Sequence, residues 1–552
     1  MKAEIKNYKG ALRIFIDGEI LPPDAYITYF TDKNRYGDFA AAGYRLFSLP
    51  VFFSSKTLNE NSQAPCFGRP IFDDVNNPDW DALDEDFYRI LEACPDALIF
   101  PRINVSLNEK WERENPDELC DDGMAPLHRP CFSSDKWAEE IMRLYSLALD
   151  HIEASDYADR VVGYQFAAGN TEEWFPHDMK GSVGKRSREK FAEYCAKKGI
   201  EADDVEYYGF LSDIVARRIC DLATLTKERV GRNKLVGTFY GYTFECNGRT
   251  TCHHSLDKVL ECPDIDFLCS PVSYAKDRAL GRDHGCMLPC DSLREHGKLY
   301  FAENDTRTHL TVVPYPDIPY FQNPVFKPKK FDDTAEMLKL HYARALVHGY
   351  AHWWFDMWGG WYRDETYMGE MAEFLEISKA AAEKIMTSLA SVAVFIDEKC
   401  FKYGKGGNLA YNIRESLGKI GTPYDCYLAS DYERVKNHYR CVILIDPYRT
   451  ELVSGIMADC KKRNVGIFTV NHENAAVTSA KLRDFCRENG VHIYIDNDAV
   501  VYANESYLFV HAAGNEMPEI RLPEGRKTRP LFVGGATGTT HPLFVSQLYE
   551  FV

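Results

Sequence analysis

The sequence predicts an α/β protein in which a (β/α)8 TIM barrel is followed by a flavodoxin-like α/β domain and a small C-terminal β module. Three observations support this prediction. Eight near-continuous apolar runs alternate with amphipathic stretches over residues 1–390, the same rhythm restarts over 391–496, and apolar residues alternate with polar ones over 497–552. Apolar runs separated by amphipathic helices indicate parallel strands covered by helices, and eight such units indicate a closed barrel.

The barrel strands are predicted at residues 24–30, 45–53, 96–105, 160–168, 234–241, 264–274, 298–305 and 349–358. Between them, stretches such as 135–153 and 331–348 carry apolar residues at intervals of three and four, which is typical of helices with one buried face. A hairpin over 11–23 precedes the first strand, because Asp17 and Gly18 form a two-residue turn signal between alternating apolar residues. About 390 residues exceed the usual ~250 of this fold, so we expect long loops, for example over 108–132.

Composition limits the possible functions. The 552 residues carry a formal net charge of -18 without a Lys/Arg stripe, which argues against a nucleic-acid partner. The N-terminal residues do not resemble a signal peptide and no run approaches the ~20 apolar residues of a membrane span, so we expect a cytoplasmic protein with no membrane contact. The seventeen scattered cysteines favour reduced thiols over a disulfide framework.

Carboxylates follow two of the predicted barrel strands. Strand 4 runs into "AAGNTEEWF", which contains Glu172 and Glu173, and strand 7 ends in "YFAEND", which contains Glu303. Catalytic residues of TIM barrels lie at these strand ends, and strands 4 and 7 are nearly opposite in a closed barrel. A carboxyl beside Trp174 and Phe175 would be desolvated, which raises its pKa as a general acid requires. Two carboxyls ~5 to 5.5 Å apart are the arrangement of a retaining glycosidase.

A Glu pair after a strand has a simpler interpretation. It is more often a solvated helix N-terminus, where negative charge interacts favourably with the helix dipole. Glu303 on the matching strand and the aromatic residues after strand 8 favour catalysis over this alternative.

The strand-4 and strand-7 glutamates, the strand-8 "WWFDMW" and the order of the three domains resemble clan A glycoside hydrolases. The chain is most similar to family 42, the β-galactosidases, and to its relative family 164, which includes β-mannosidases. The resemblance implies that Glu303 is the nucleophile and that the acid/base lies in "NTEEW". Family 42 typically has an Asn-Glu pair there, whereas Thr171 follows Asn170 here, so Glu172 and Glu173 stay alternatives. Glu173 is preferred because it adjoins Trp174.

Further residues are predicted to bind substrate. Arg102 at the end of strand 3 would hold the nucleophile ionised through a bidentate contact, or would only pair with a loop carboxylate. Asn104, together with Asn170, would bond sugar hydroxyls, and Tyr274 resembles the tyrosine of the clan that donates to the nucleophile. One or more aromatic rings at the end of strand 8 would form a sugar platform: Trp353, Trp354, Trp358, Trp361 and Tyr362. Core packing is expected for at least half of these tryptophans.

The sequence therefore predicts a retaining, exo-acting β-glycosidase of the β-galactoside or β-mannoside type that requires no cofactor. The resemblance also implies a homotrimer assembled through the second domain. One alternative is a catalytically inactive sugar-binding or scaffold protein, motivated by the inserted Thr171. A weaker alternative is a metal-dependent hydrolase built on Cys252, His253 and His284, whose spacing lacks the paired CxxC pattern of zinc sites. His253 or His284 would otherwise line the substrate pocket.

The second domain also suggests a glutamine amidotransferase, whose nucleophilic cysteine lies at a sharp strand-to-helix turn. The matching stretch over 466–476 contains no cysteine, so we do not expect this activity.

Overall fold

The structure, a computed structural model, describes residues 1–55, 66–120, 129–169, 171–176, 184–246, 248–274, 278–318, 327–404, 407–514, 516–532 and 544–552. The strands are β1 (Ala3–Tyr8), β2 (Ala11–Ile16), β3 (Glu19–Leu21), β4 (Asp24–Ile27), β5 (Leu46–Phe52), β6 (Leu98–Asn104), β7 (Gly163–Ala167), β8 (Leu235–Phe239), β9 (Phe267–Pro271), β10 (Leu299–Asn304), β11 (Ala351–Phe355), β12 (Val392–Ile396), β13 (Asp425–Leu428), β14 (Cys441–Ile445), β15 (Gly466–Val470), β16 (Ala499–Ala503), β17 (Tyr507–Ala513), β18 (Thr528–Pro530) and β19 (Phe544–Phe551).

The helices are α1 (Tyr36–Ala41), α2 (Trp80–Ala93), α3 (Glu109–Glu114), α4 (Asp135–Ala154), α5 (Gly184–Lys198), α6 (Asp204–Val230), α7 (Leu256–Glu261), α8 (Cys290–Glu295), α9 (Phe331–His348), α10 (Glu365–Ala381), α11 (Gly407–Leu417), α12 (Tyr432–Val435), α13 (Glu451–Arg463) and α14 (Ser479–Glu488). In the part of the chain that the structure describes, none of these helices is long and apolar enough to cross a membrane.

Strands β4 to β11 form a closed parallel barrel in chain order, with β11 pairing to both β10 and β4. The eight predicted barrel strands are therefore confirmed, each somewhat shorter than its apolar run. Aromatic rings fill the interior, where Phe301 lies between Phe267 and Trp353. Glycine is required at position 237 because a Cβ there would collide with the ring of Phe267.

Helices α4 and α9 match the two predicted helical stretches. The hydroxyl of Ser134 accepts a hydrogen bond from the Trp137 amide and so begins α4, and Gly349 ends α9 in the left-handed conformation. Residues 332–347 of α9 are all buried. The reason is that α9 lies between the barrel and the C-terminal strands β16, β17 and β19.

Three smaller sheets complete the fold. Strands β1, β2 and β3 are antiparallel, and the predicted hairpin between β2 and β3 turns at Asp17 and Gly18, both with positive φ. The parallel sheet β13-β12-β14-β15 has the strand order of a doubly wound domain. The antiparallel sheet β16-β17-β19-β18 is the predicted C-terminal β module. The chain thus has a TIM barrel followed by an α/β unit and a small β unit.

Candidate active site

The end of the seventh barrel strand, β10, carries a buried ion pair. Glu303 lies inside the sheet, with its backbone paired to Trp353 on one side and Pro271 on the other. Arg102 of β6 donates from Nη2 to Oε2 of Glu303 at 2.7 Å, and from Nε to the side-chain oxygen of Gln165 at 3.2 Å. Both partners are at most 4% exposed. The structure therefore joins two predicted site residues through a single N–H contact, where a bidentate one was expected.

The protonation of Glu303 depends on this pair. Burial raises the pKa of the Glu303 carboxyl to about 8, the positive charge of Arg102 works against the rise, and repulsion from Asp305 and Glu173 adds to it. The guanidinium of Arg102 is fixed by aromatic rings whose centroids lie 4.9 to 5.3 Å from it: Phe239, Trp353 and Phe355. Arg102 is thus the group that favours a charged Glu303.

The turn after the fourth barrel strand, β7, has a strained backbone. We call residues 168–175 the strand-4 turn; Asn170, a predicted substrate contact, lies outside the described residues. Thr171, Glu172 and Trp174 have φ of 57°, 69° and 62°, a left-handed region that costs non-glycine residues about 1 to 3 kcal/mol each. Such strain persists only where the surroundings hold it. Here the Trp174 indole donates to the Thr238 hydroxyl at 2.8 Å.

The strand-4 turn gives Glu173 two hydroxyl donors. Tyr242 donates to Oε1 at 2.8 Å and Thr171 donates to Oε2 at 2.5 Å. The imidazole of His253 holds the backbone of Glu173, since its Nε2 lies 2.8 Å from the carbonyl oxygen, and it stacks on Phe175. Burial raises the pKa of the Glu173 carboxyl to about 7, while Thr171 and Tyr242 oppose the rise. Glu173 is therefore able to hold and release a proton near neutral pH.

Glu172 points to a different set of partners. Its side chain is fully buried, and the Tyr29 hydroxyl donates to its Oε2. The Tyr29 oxygen also accepts from Nη1 of Arg102 at 3.4 Å. A continuous chain of contacts thus runs from Glu172 through Tyr29 and Arg102 to Glu303. Burial raises the pKa of Glu172, and the neighbouring charge of Arg102, the Tyr29 hydroxyl and the Asn104 amide oppose the rise.

A second buried ion pair, between Arg278 and Asp305, borders the same carboxyls. Nη2 of Arg278 donates to Oδ1 of Asp305, and its guanidinium lies 4.7 Å from the ring centre of Tyr274. Asp305 contributes to the raised pKa values of both Glu303 and Glu173. Sequence reasoning missed this pair. A signal existed for Asp305, because residues two apart on a strand point to the same face.

Tyr274 lies at the edge of this group of carboxyls. Tyr274 as a whole residue is 45% exposed, whereas burial of its hydroxyl, followed by the charges of Asp305, Glu173 and Glu303, raises the pKa of that hydroxyl. The structure thus brings Tyr274 together with the predicted catalytic glutamates.

The predicted tryptophans separate into two groups. Trp353 points into the barrel and stacks on Phe301 at 4.2 Å, whereas Trp354, the next residue, packs outside the barrel on Phe374 and donates to the Tyr44 hydroxyl. Trp354 therefore does not join the other predicted site residues.

The other two tryptophans lie in the loop after β11, at the end of the barrel where the strands have their carboxyl ends. Trp358 and Trp361 contact each other edge to face, and the guanidinium of Arg307 lies 4.3 Å from the Trp358 ring centre. The Thr308 hydroxyl, in the loop after β10, donates to the Trp361 carbonyl at 2.6 Å and ties the two loops together. Both indoles are at most 3% exposed, while Tyr362 packs on Phe39.

The residues considered for a metal site take other partners. The Cys252 carbonyl accepts from the Tyr240 hydroxyl, His253 supports Glu173, and His284 lies 3.0 Å from His341. Across the described residues, no cluster of three His, Cys, Asp or Glu has a geometry that could hold a metal ion.

The fold is similar to solved structures over nearly the whole chain. A β-galactosidase from the psychrophilic Marinomonas ef1 superimposes with a TM-score of 0.65 at 11% identity, over 96% of this chain and 99% of that chain. A β-galactosidase from Rahnella sp. R3 gives 0.58 at 13% identity, over the full length of both chains. An exo-carrageenase GH42 from Bacteroides ovatus gives 0.58 at 11% identity, over 100% of this chain and 84% of that one. No protein-family model and no curated protein matches the sequence. At these identities the similarity is one of fold.

Proposed function

We propose that the protein is a retaining β-glycosidase that removes a sugar from the non-reducing end of an oligosaccharide or small glycoside. One observation carries the proposal. A carboxyl paired with a buried arginine, Glu303, follows barrel strand 7, and a carboxyl with a pKa raised to about 7, Glu173, follows barrel strand 4. Retaining glycosidases need a charged nucleophile and a protonated acid. In the free protein the pKa of Glu303, about 8, lies above that of Glu173, about 7, so the assignment of Glu303 as the nucleophile rests on its contact with Arg102 and not on the order of the two pKa values.

In the proposed reaction, Oε1 or Oε2 of Glu303 attacks the anomeric carbon while the glycosidic bond breaks. The proton on Glu173 passes to the leaving oxygen, which departs as an alcohol and leaves a glycosyl ester on Glu303. A water then gives a proton to the ionised Glu173 and attacks the same carbon, which breaks the ester and restores both carboxyls. Configuration is retained because the carbon is inverted twice.

The electrostatics of the site fit a group that changes role between these steps. Repulsion between the two carboxyls contributes to the raised pKa of Glu303. Once Glu303 becomes a neutral ester, its charge no longer favours the proton on Glu173, so the pKa of Glu173 falls and the carboxylate becomes a base. Tyr242 and Thr171 stabilise that charged form by donating to both of its oxygens.

Buried hydrogen-bonding groups around the ion pair suit a sugar. Among the described residues, Nε2 of Gln165, Nη1 of Arg278 and the indole N–H of Trp353 have no hydrogen-bond partner. Buried donors are rarely left unsatisfied, and sugar hydroxyls would accept from them. Two β-galactosidases and an exo-carrageenase among the structural neighbours support a β-galactoside type substrate, with the β-mannoside type as the alternative.

The first experiment measures hydrolysis of p-nitrophenyl β-glycosides of galactose, mannose, glucose and fucose, with the anomer of the first product followed by NMR. A 2-deoxy-2-fluoro glycoside of the cleaved sugar with a dinitrophenyl leaving group then traps the intermediate, because the fluorine slows the second step more than the activated first step. We expect β product first and one labelled peptide containing Glu303. Inversion, or a label elsewhere, would contradict the mechanism. Sugar binding without turnover would favour the inactive sugar-binding protein.

The expected domain boundaries, after residues 390 and 496, the homotrimer and the cytoplasmic location stay predictions. Sedimentation of the purified protein tests the trimer directly.

A further inference from the structure

Tyr274 is attached to a part of the molecule outside the barrel. We propose that Arg414, on α11 of the second domain, is a positioning residue that fixes Tyr274 at the active site by acting through Glu245. The catalytic part of this inference rests on the proposed function, whereas the positioning part does not.

The contacts run from α11 to the Tyr274 backbone in two steps. Arg414 donates from Nη2 to Oε2 of Glu245 and, at 2.8 Å, to the Ser273 hydroxyl. Glu245 in turn accepts from the Ser273 hydroxyl at 2.8 Å and from the Tyr274 backbone N–H at 2.9 Å. A third contact, from Nη1 of Arg414 to the carbonyl of Cys286 at 3.3 Å, holds the guanidinium against the barrel.

The ion pair is buried on both sides. Glu245 and Arg414 are each 4% exposed, so their attraction is little screened by solvent. Removing the arginine would leave a buried carboxylate without its cation, which is strongly unfavourable. The Glu245 side chain would then turn toward water, which loosens its bond to the Tyr274 amide.

The Tyr274 side chain needs such an anchor because packing alone does not fix it. The residue is 45% exposed, unlike the buried aromatic residues of the barrel interior. Arg278, held by Asp305, lies against one face of the ring, and Glu245 holds the backbone. Two points of attachment therefore orient the hydroxyl relative to Glu303, and one of them depends on the second domain.

The test compares Arg414→Met with Arg483→Met. Arg483 is an equally buried arginine of α14 whose hydrogen bonds stay within residues 419–498, so its loss should lower stability without reaching the barrel. The first measurement is hydrogen exchange of peptides that contain the Tyr274 amide, without substrate. We expect faster exchange in Arg414→Met and unchanged exchange in Arg483→Met.

The second measurement is kcat/KM against pH on the glycoside that the wild type cleaves, alone and with Tyr274→Phe. Misplacing Tyr274 should cost about 10²-fold and shift the pH profile, because the Tyr274 hydroxyl interacts electrostatically with Glu303 and Glu173. Arg414→Met should lower kcat/KM little further in a protein that already carries Tyr274→Phe, whereas the two losses in kcat/KM would multiply if the residues acted independently. Arg414→Lys, which keeps the charge, should restore part of the loss.

Unchanged exchange at Tyr274, or a loss that multiplies with Tyr274→Phe and leaves the pH profile unmoved, would overturn the proposal. If Arg414→Met does not fold, Glu245→Gln, which keeps the shape and removes the charge, is measured in the same way. A wild type that cleaves no glycoside would remove the proposed function, and the exchange result would still decide whether Arg414 positions Tyr274.

Discussion

The ends of barrel strands 4 and 7 hold their carboxyls in opposite ways. Glu303 is part of the sheet, paired on both sides, and one arginine opposes the burial that raises its pKa. Glu173 lies beyond its strand, on a turn whose described part has three non-glycine residues with positive φ, and its oxygens are held by the hydroxyls of Tyr242 and Thr171. Regular sheet structure thus fixes the proposed nucleophile, and a strained turn with neutral donors fixes the proposed acid.

The difference follows from what each group must do. A nucleophile keeps one position and one charge until it attacks, so a rigid strand and a fixed cation suit it. An acid that later becomes a base must be stable in both forms, and hydroxyls serve both, because they donate to a carboxylate and accept from a carboxylic acid.

The largest effect is expected at the rigid site. Glu303→Gln keeps an oxygen that accepts from Arg102 but removes the nucleophile, so kcat should fall at least about 10⁴-fold for every leaving group. The measurement is kcat on nitrophenyl and dinitrophenyl glycosides, with thermal unfolding as the control for folding. A loss that disappears with the better leaving group would mean that Glu303 is not the nucleophile.

The next effect separates the two adjacent glutamates of the strand-4 turn. Glu173→Gln should slow hydrolysis about 10² to 10⁴-fold on substrates with poor leaving groups, because they need a proton, and far less on dinitrophenyl glycosides. Glu172→Gln is the matched control, since Glu172 contacts Tyr29 and should show no dependence on the leaving group. If Glu172→Gln shows the dependence and Glu173→Gln does not, their roles are exchanged.

A smaller effect concerns stability. The pKa of the Glu173 carboxyl is raised from 4.5 in the unfolded chain to about 7 in the folded protein. As the pH rises from about 4.5 to about 7, this carboxyl ionises in the unfolded chain before it does in the folded one, and the free energy of unfolding falls by up to about 3 kcal/mol. Glu173→Gln removes this loss. Its melting temperature relative to wild type should therefore increase between about pH 5 and about pH 8, whereas the exposed Glu92→Gln on α2 serves as a surface control. A difference independent of pH would contradict the raised pKa.

Much of the fold could be predicted because its signal is local. Each barrel strand is buried on both faces, so its residues read as one apolar run, and Glu303 was identified by lying at the end of such a run. The strand β13 was not predicted, since its four residues, "DCYL", are too few and too mixed to form a recognisable pattern.

The environment of each carboxyl could not be predicted, because its partners come from distant segments. Glu173 meets Tyr242 from 69 residues away, and Glu172 meets Tyr29 from 143 residues away. The same holds for Glu245 and Arg414, 169 residues apart, for which no spacing rule exists. Trp353 and Trp354 look alike in sequence, and only the alternation of β11 sends one inward and the other outward.

The burial of α9 bears on how the protein is made. This helix covers strands of the barrel, yet its other side is closed by residues near the end of the chain: the Asn504 amide donates to the Val347 carbonyl and the Ser546 hydroxyl to the Glu336 carbonyl. During synthesis one side of α9 therefore stays uncovered until residues 499–551 have left the ribosome. We expect a chain ending at residue 496 to aggregate; a soluble and cooperatively melting one would disprove this dependence.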